Sequence, residues 1–417
     1  MSKQADIGVL RELARQYAEI AGDPIQEQRR RLWADHNSLR ATRPPILATF
    51  GMWNVWCREV FGDAKMKCED PFYRNYERWL RMEIFHFGYG DDAIQEPWAT
   101  VGAVQKVGWH NLWGVELQHE NSSQEGGAWR FDPVLRDWSD VAKLVPPPHV
   151  IDEAATAENI ARLSEAIGDI LTINIERNPA CMSFPNDIST HLAQMRGLEQ
   201  LMMDMCSEPE KLHGLLAFMR DGILANQAAA ERAGDMSLTG QTNQCFTYSN
   251  ELPWPKPNVR GVNRKQLWGF SASQELTLVS PAMHEEFMLR YQRPIMEHFG
   301  LSHYGCCEDL TRKIDILRKV RNLRIIAISP RADVARCAEQ IGGDYVMSWR
   351  PNPSDMVCCG FNEEVIRRIF REALAAMRGS GCCCFHVHLK DIETLEGDLS
   401  RMKRWVTLAR EMCEEQR

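Results

Sequence analysis

Between Leu301 and Met412 the sequence alternates four times between a short apolar run and a segment with apolar residues at helical spacing. Leu301–Gly305 is followed by Leu310, Ile314, Leu317 and Val320; Arg324–Ile328 ends at Ser329-Pro330 and is followed by Ala332–Ile341, which Gly342-Gly343 stops. Tyr345–Ser348 closes at Arg350-Pro351-Asn352-Pro353, after which Asn362 opens a helix whose stripe is Ile366, Ile369, Phe370, Ala373, Leu374 and Met377. Cys382–Leu389 is the fourth run, and Leu399, Met402, Trp405, Val406, Ala409 and Met412 share one face of a last helix. Strands joined through helices cannot pair as hairpins, so this rhythm predicts a parallel sheet with helices packed on it.

The remainder of the chain is less regular. Residues 1–42 read as a helical extension, Ile46–Phe50 as a strand, and Asp70–Phe87 as a helix burying Trp79, Leu80 and Ile84. Residues 90–150 are rich in Trp, Gly and short strand-like pieces, an elaboration over the mouth of the sheet. Helices are expected at Glu153–Ile170, Gly197–Met205 and Pro209–Ala233, with Ala180–Ser183 strand-like between them. The Pro-rich stretch Asn250–Arg264 is long enough for a lid or a partner-docking loop. At 417 residues the chain suits two average domains or one (β/α)8 barrel with insertions.

Composition narrows the function classes. A formal charge of −8 argues against a nucleic-acid surface, which needs clustered Lys and Arg. No stretch of roughly 18 apolar residues marks a membrane span, and the charged start does not read as a signal peptide, so a cytoplasmic location is the default. Fourteen cysteines are present, several adjacent: Cys306-Cys307, Cys358-Cys359 and Cys382-Cys383-Cys384. Neighbours on a strand point to opposite faces, which does not suit a disulfide framework, so reduced thiols are expected.

In a parallel barrel the chemistry sits at the carboxyl ends of the strands. Those ends carry His303-Tyr304-Gly305-Cys306-Cys307-Glu308, Ser329-Pro330-Arg331, Ser348-Trp349-Arg350 and Cys384-Phe385-His386-Val387-His388-Leu389-Lys390-Asp391. Alternation along the last strand puts Cys382, Cys384, His386 and His388 on one face and Cys383, Phe385, Val387 and Leu389 on the other. Thiolate, imidazole and carboxylate meeting in one cleft are zinc ligands, which makes Cys306, Cys307, Glu308 and His388 a candidate metal set. The alternative is that these are core residues packed without metal. Glu308, Lys390 and Asp391 are costly charges at strand ends unless paired or used, and Glu275 stands just before the helix start Ser280-Pro281; these four are the candidate acid–base groups. Trp53, Trp268, Tyr304, Arg331 and Trp349 are the candidate substrate contacts, the aromatic ones suiting a flat or apolar ligand.

Several of these stretches resemble the uroporphyrinogen decarboxylase superfamily, and most closely its corrinoid-linked methyltransferase branch. The likeness rests on Val279-Ser280-Pro281 through Glu285-Glu286-Phe287, on Tyr291 and Pro294, and on Tyr304-Gly305-Cys306-Cys307-Glu308. Leu198–Met205, Ser348–Pro353 and the final strand extend it to roughly residues 40–415. The resemblance implies a single (β/α)8 barrel over residues 43–417. In the methylcobamide:coenzyme M methyltransferases of that branch, zinc is held by a His-x-Cys pair and a later Cys. This chain has His303-Tyr304-Gly305-Cys306-Cys307 instead, and Lys390 stands where the later Cys is sought; the resemblance implies Cys306 or Cys307 as a metal ligand, with Glu308, His303 or His388 completing the set. The decarboxylases grip their substrate with an N-terminal Arg-rich motif; the equivalent stretch here, Arg43 to Trp53, has no Arg after its strand.

The resemblance therefore implies a zinc-dependent transfer of methyl between a small methylated compound, such as a methoxylated aromatic undergoing O-demethylation, and a corrinoid. No Asp-x-His-x-x-Gly corrinoid motif occurs, so a separate corrinoid protein is the expected partner. Two other readings stand beside it: a metal-independent decarboxylase or lyase using Arg331, Arg350 and Lys390, and an accessory protein whose cysteines hold metal or corrinoid.

Overall fold

The computed structural model describes residues 3–50, 60–121 and 129–415. Its strands are β1 (Ile46–Phe50), β2 (Trp98–Gly102), β3 (Gln118–Asn121), β4 (Trp129–Asp132), β5 (Thr172–Glu176), β6 (Trp268–Ser271), β7 (Leu301–Tyr304), β8 (Leu323–Ile328), β9 (Val346–Trp349) and β10 (Phe385–Ile392). Six of them form one sheet in the order β1-β10-β9-β8-β7-β6, with every pairing parallel. Placing the first strand beside the last curls this sheet into half of a barrel wall. β2 and β5 form a second parallel pair, and β3 and β4 an antiparallel hairpin.

Among the described residues no ladder joins β1 to β2 or β5 to β6, so the expected closed eight-stranded ring resolves into a half-barrel and a separate pair. Side chains satisfy the edges that a closed ring would have hydrogen-bonded. Asp92 accepts from Ile46 N at 2.8 Å and Asp91 from Ala48 N at 2.9 Å along β1. Asn258 accepts from Ile175 N at 2.9 Å and donates to Ile173 O at 3.0 Å along β5, while Asn186 donates to Phe270 O at 2.7 Å on β6.

The two faces of the six-stranded sheet are sorted by the period-two alternation. Leu47, Trp268, Leu301, Ile325, Val346 and Cys384 point inward and meet Trp33 and Phe246. Ile326, Ile328, Met347, Trp349, Val387 and Leu389 point outward against Ile366, Phe370, Leu374, Trp405 and Met412 of the covering helices. Truncating a side chain as buried as Phe370 to Ala costs about 3–5 kcal/mol. Asp70, Asp152, Asp333 and Asn362 cap their helices by accepting from Phe72, Ala155, Arg336 and Val365 N–H groups, each contributing about 1 kcal/mol.

Several expectations need correction. The N-terminal segment is not only an extension, because the helix Ile25–Asn37 carries Trp33 into the floor of the barrel and His36 into a hydrogen bond with His386. Ala180–Ser183 is not a strand: Ser183 has a φ of 57°, and the strand lies earlier, at β5, a stretch for which no element was expected. Only Ile314–Leu317 is helical within Leu310–Val320, since Asp309 caps Thr311 N and Lys313 is tied to the Leu276 and Thr277 carbonyls. The Pro-rich stretch runs along the amino-terminal end, where Glu251 pairs with Arg324 at the start of β8 and Leu252 lies against Gly300 before β7. It cannot be a lid over the carboxyl ends. No described helix is long and apolar enough to cross a membrane.

Candidate functional site

The carboxyl end of β7 turns sharply at Gly305, whose φ of +101° and closeness to Leu310 and Ala327 leave no room for a side chain. The turn is held from three sides. Glu308 accepts from Cys306 N at 2.7 Å and from Ser273 N at 2.8 Å, and Gln244 donates to the Tyr304 and Gly305 carbonyls at 3.1 and 2.7 Å. Arg350, at the end of β9, donates to Cys306 O at 2.8 Å and to Asn243 O at 3.2 Å. These bonds fix the Cys306 and Cys307 sulfurs 3.6 Å apart, with the Lys390 ammonium of β10 at 4.0 Å from Cys306 Sγ. Both thiols open on a cavity of about 430 Å³ that Arg331, Arg350, Lys390 and Asp391 also line.

The two thiols behave as a unit with opposite tendencies. The hydrogen bond from Cys307 does most to lower the Cys306 pKa, burial opposes it, and the Lys390 and Arg350 charges add to the lowering. The same hydrogen bond raises Cys307, which keeps the proton. The pair is thus a thiolate with a thiol donating to it, the arrangement of a reactive cysteine. The contrast is Cys245, whose thiol burial pushes up to about 12. No disulfide occurs among the described residues.

The two predicted histidines are not brought to the thiols' cavity. His303 is fully buried with both ring nitrogens lacking a hydrogen-bond partner, and His388 binds Thr49 Oγ1 at 2.7 Å. Burial lowers His303 to about 3 and His388 well below the usual range, so both rings are neutral. Among the described residues no three His, Cys, Asp or Glu side chains meet as a metal cage. Two sulfurs beside an ammonium are a poor zinc site, since zinc takes at least three protein ligands and the nearest charges are already cationic. The residues described do not fit the expected ion.

Glu308 spends both oxygens on backbone N–H groups, and burial raises its pKa, so it anchors the turn instead of facing the cavity. Glu275 accepts from Ser189 Oγ at 2.8 Å, beside the outer helices. Tyr304 and Trp349 also point outward, against expectation. The Tyr304 hydroxyl is bound by Ser273, His284 and Gln292, and the Trp349 ring packs on Phe370 at 5.0 Å. Trp53 lies outside the described residues. Lys390 pairs with Asp391 at 3.3 Å, and Asp391 is exposed at a φ of 60°. Trp268 lines a second hollow, of about 200 Å³, together with Glu176, Asn178, Asn243 and Phe270. Glu176 was not foreseen, although the alternation in Thr172-Ile173-Asn174-Ile175-Glu176 was a readable strand signal.

No protein-family model matches the chain, and no curated protein matches it. A solved methyltransferase from Methanosarcina mazei aligns over 92% of this chain and 97% of its own, with a TM-score of 0.51 and 12% sequence identity. The two chains share one fold. At that identity the likeness speaks for the backbone arrangement, and the chemistry must be argued from the site itself.

Proposed function

We propose that this protein is a methyltransferase of the uroporphyrinogen decarboxylase superfamily, moving a methyl group between a small methylated compound and a corrinoid carried by a separate protein. The observation that carries the reading is the Cys306–Cys307 pair at the carboxyl ends of the strands, lying under two cations in a cavity of about 430 Å³. The shared fold with a methyltransferase is consistent with it. A thiolate kept ionised by neighbouring charge is the nucleophile in this cavity best matched to an electrophilic methyl carbon: the donor's C–O or C–N bond breaks as the S–CH3 bond forms, and the methyl would then leave the sulfur for the partner's corrinoid, restoring the thiolate. The Lys390 ammonium is placed to supply a proton as an oxygen or nitrogen leaves. Arg331 and Arg350 would hold an anionic end of the donor.

The test mixes the purified protein with a corrinoid protein in the cob(I) state and a panel of donors, methoxylated aromatics included. A methylcobamide spectrum is expected with one donor class and should disappear in Cys306→Ser. Absence of methylcobamide with every class would remove the reading. Because Arg331, Arg350 and Lys390 share one cavity, a small carboxylic acid is the substrate of the competing lyase reading. Release of carbon dioxide without methyl transfer would favour that one.

A further inference from the structure

We propose that the seam between β5 and β6 holds a binding site for a small methylated ammonium cation, with Glu176 as its counter-charge. The biological meaning rests on the methyl-transfer reading, whereas the binding stands on its own geometry. The half-barrel and the β2–β5 pair are not laced together here, and the gap contains the hollow of about 200 Å³. Glu176 ends β5 and lines that hollow. The one hydrogen-bond partner of its carboxylate among the described residues is the Asn178 amide, at 2.7 Å. The neighbouring Arg177 is turned away, binding Glu153 and Asp235.

A carboxylate without a counter-ion in a desolvated hollow is costly unless a cation completes it. Burial accordingly holds the Glu176 carboxyl above its usual range, against the opposing Asn178 bond. The neighbours decide which cation fits. Trp268 and Phe270 offer ring surface, and the remaining polar groups are amides and hydroxyls. A hard divalent ion requires six or more oxygen ligands, usually several of them charged, and one carboxylate does not provide them. A methylated ammonium needs few or no hydrogen bonds and is recognised by aromatic surface with a nearby negative charge.

The hollow also adjoins the thiols. Asn243 lines it and accepts from Arg350, and Phe270 shares an apolar cluster with Cys306. A cation seated against Glu176 would therefore sit beside residues that touch the thiol turn, and a methylated ammonium is the ligand class for this hollow.

Isothermal titration of the full-length protein with choline, and with its neutral carbon isostere dimethylbutanol, tests the assignment. Choline should bind and the isostere should not, and Glu176→Gln should weaken choline at least tenfold with an unchanged thermal midpoint. Equal binding of choline and isostere by the wild type, no choline binding, or an unaffected Glu176→Gln would each overturn it. The wild-type comparison needs no variant and so survives any folding defect. Choline binding without methyl transfer from any donor would leave this site standing while removing the methyltransferase reading.

Discussion

Replacing Lys390 by Met removes the cation beside Cys306 while keeping most of the side-chain volume. At 4.0 Å two unit charges attract by about 4 kcal/mol when the effective dielectric constant is near 20. With about 1.36 kcal/mol per pKa unit, that sets a ceiling of about 3 units on the contribution of Lys390 to the ionisation of Cys306. The lysine side chain is 15% exposed and shares its charge with Asp391, and Arg350 remains in the variant. The expected rise is therefore about 1–2 units. The sign is fixed: losing a cation disfavours the thiolate, so the pH–rate profile for alkylation moves to higher pH. The assay is iodoacetamide labelling from pH 4 to 9, with Cys306 followed by peptide mass spectrometry. Below the midpoint its rate should fall about 10- to 100-fold in Lys390→Met, while Cys206 and Cys383 keep theirs. An unmoved Cys306 profile would show that the ammonium does not govern this thiol.

Asp92 supplies a test of how the open edge of β1 is closed. Burial alone would raise its carboxyl, but hydrogen bonds from Arg43 and the Ile46 N–H hold it below the usual carboxylate range. A depressed carboxylate stabilises the fold above its unfolded pKa, near 3.9, and loses that contribution as pH falls through the folded value. Asp92→Asn should lower stability to urea at pH 7 by about 2–3 kcal/mol, less than for a fully buried pair because Arg43 is one-third exposed, and should flatten the acid limb. Asn258 holds the edge of β5 at a φ of 59°. Asn258→Ala should lose its side-chain bonds and strain the backbone, about 2 kcal/mol together, whereas Asn258→Gly should cost about half as much by thermal melting. Equal losses in the two variants would mean the left-handed backbone contributes nothing.

The sheet from β7 to β10 was legible because each strand is a short apolar run bounded by Gly, Pro or a capping residue. Those signals are local. The caps Asp70, Asp333 and Asn362 fall at or within one residue of where the patterns begin. β5 was missed because Thr172–Glu176 follows a helix with no Gly or Pro break beyond Gly168, and the helical pattern of the sequence runs on past the helix end at Ile167 to Ile170. The directions of Tyr304 and Trp349 follow from strand parity: His303 and Ser348 take the inward positions, so their neighbours must face the helices. Cys306 and Cys307 were found by their place after β7, but their setting was not. What distinguishes them from the other paired cysteines is Lys390, 84 positions away, and Arg350, 44 positions away, and no spacing rule relates those residues. Among the described residues the expected His and Cys cage is not assembled, since His388 is engaged by Thr49 and neither ring nitrogen of His303 has a hydrogen-bond partner.

The account rests on Cys306 being the thiol prepared to meet a methyl carbon. Substoichiometric, isotopically labelled methyl iodide at pH 6 tests this without a partner or a known donor, with every cysteine read out by peptide mapping. Cys306, only 4% exposed, should nevertheless carry most of the label, because the thiolate and not the thiol reacts. Label spread over Cys206, Cys359 and Cys383 in proportion to their exposure, with Cys306 unmodified, would contradict it.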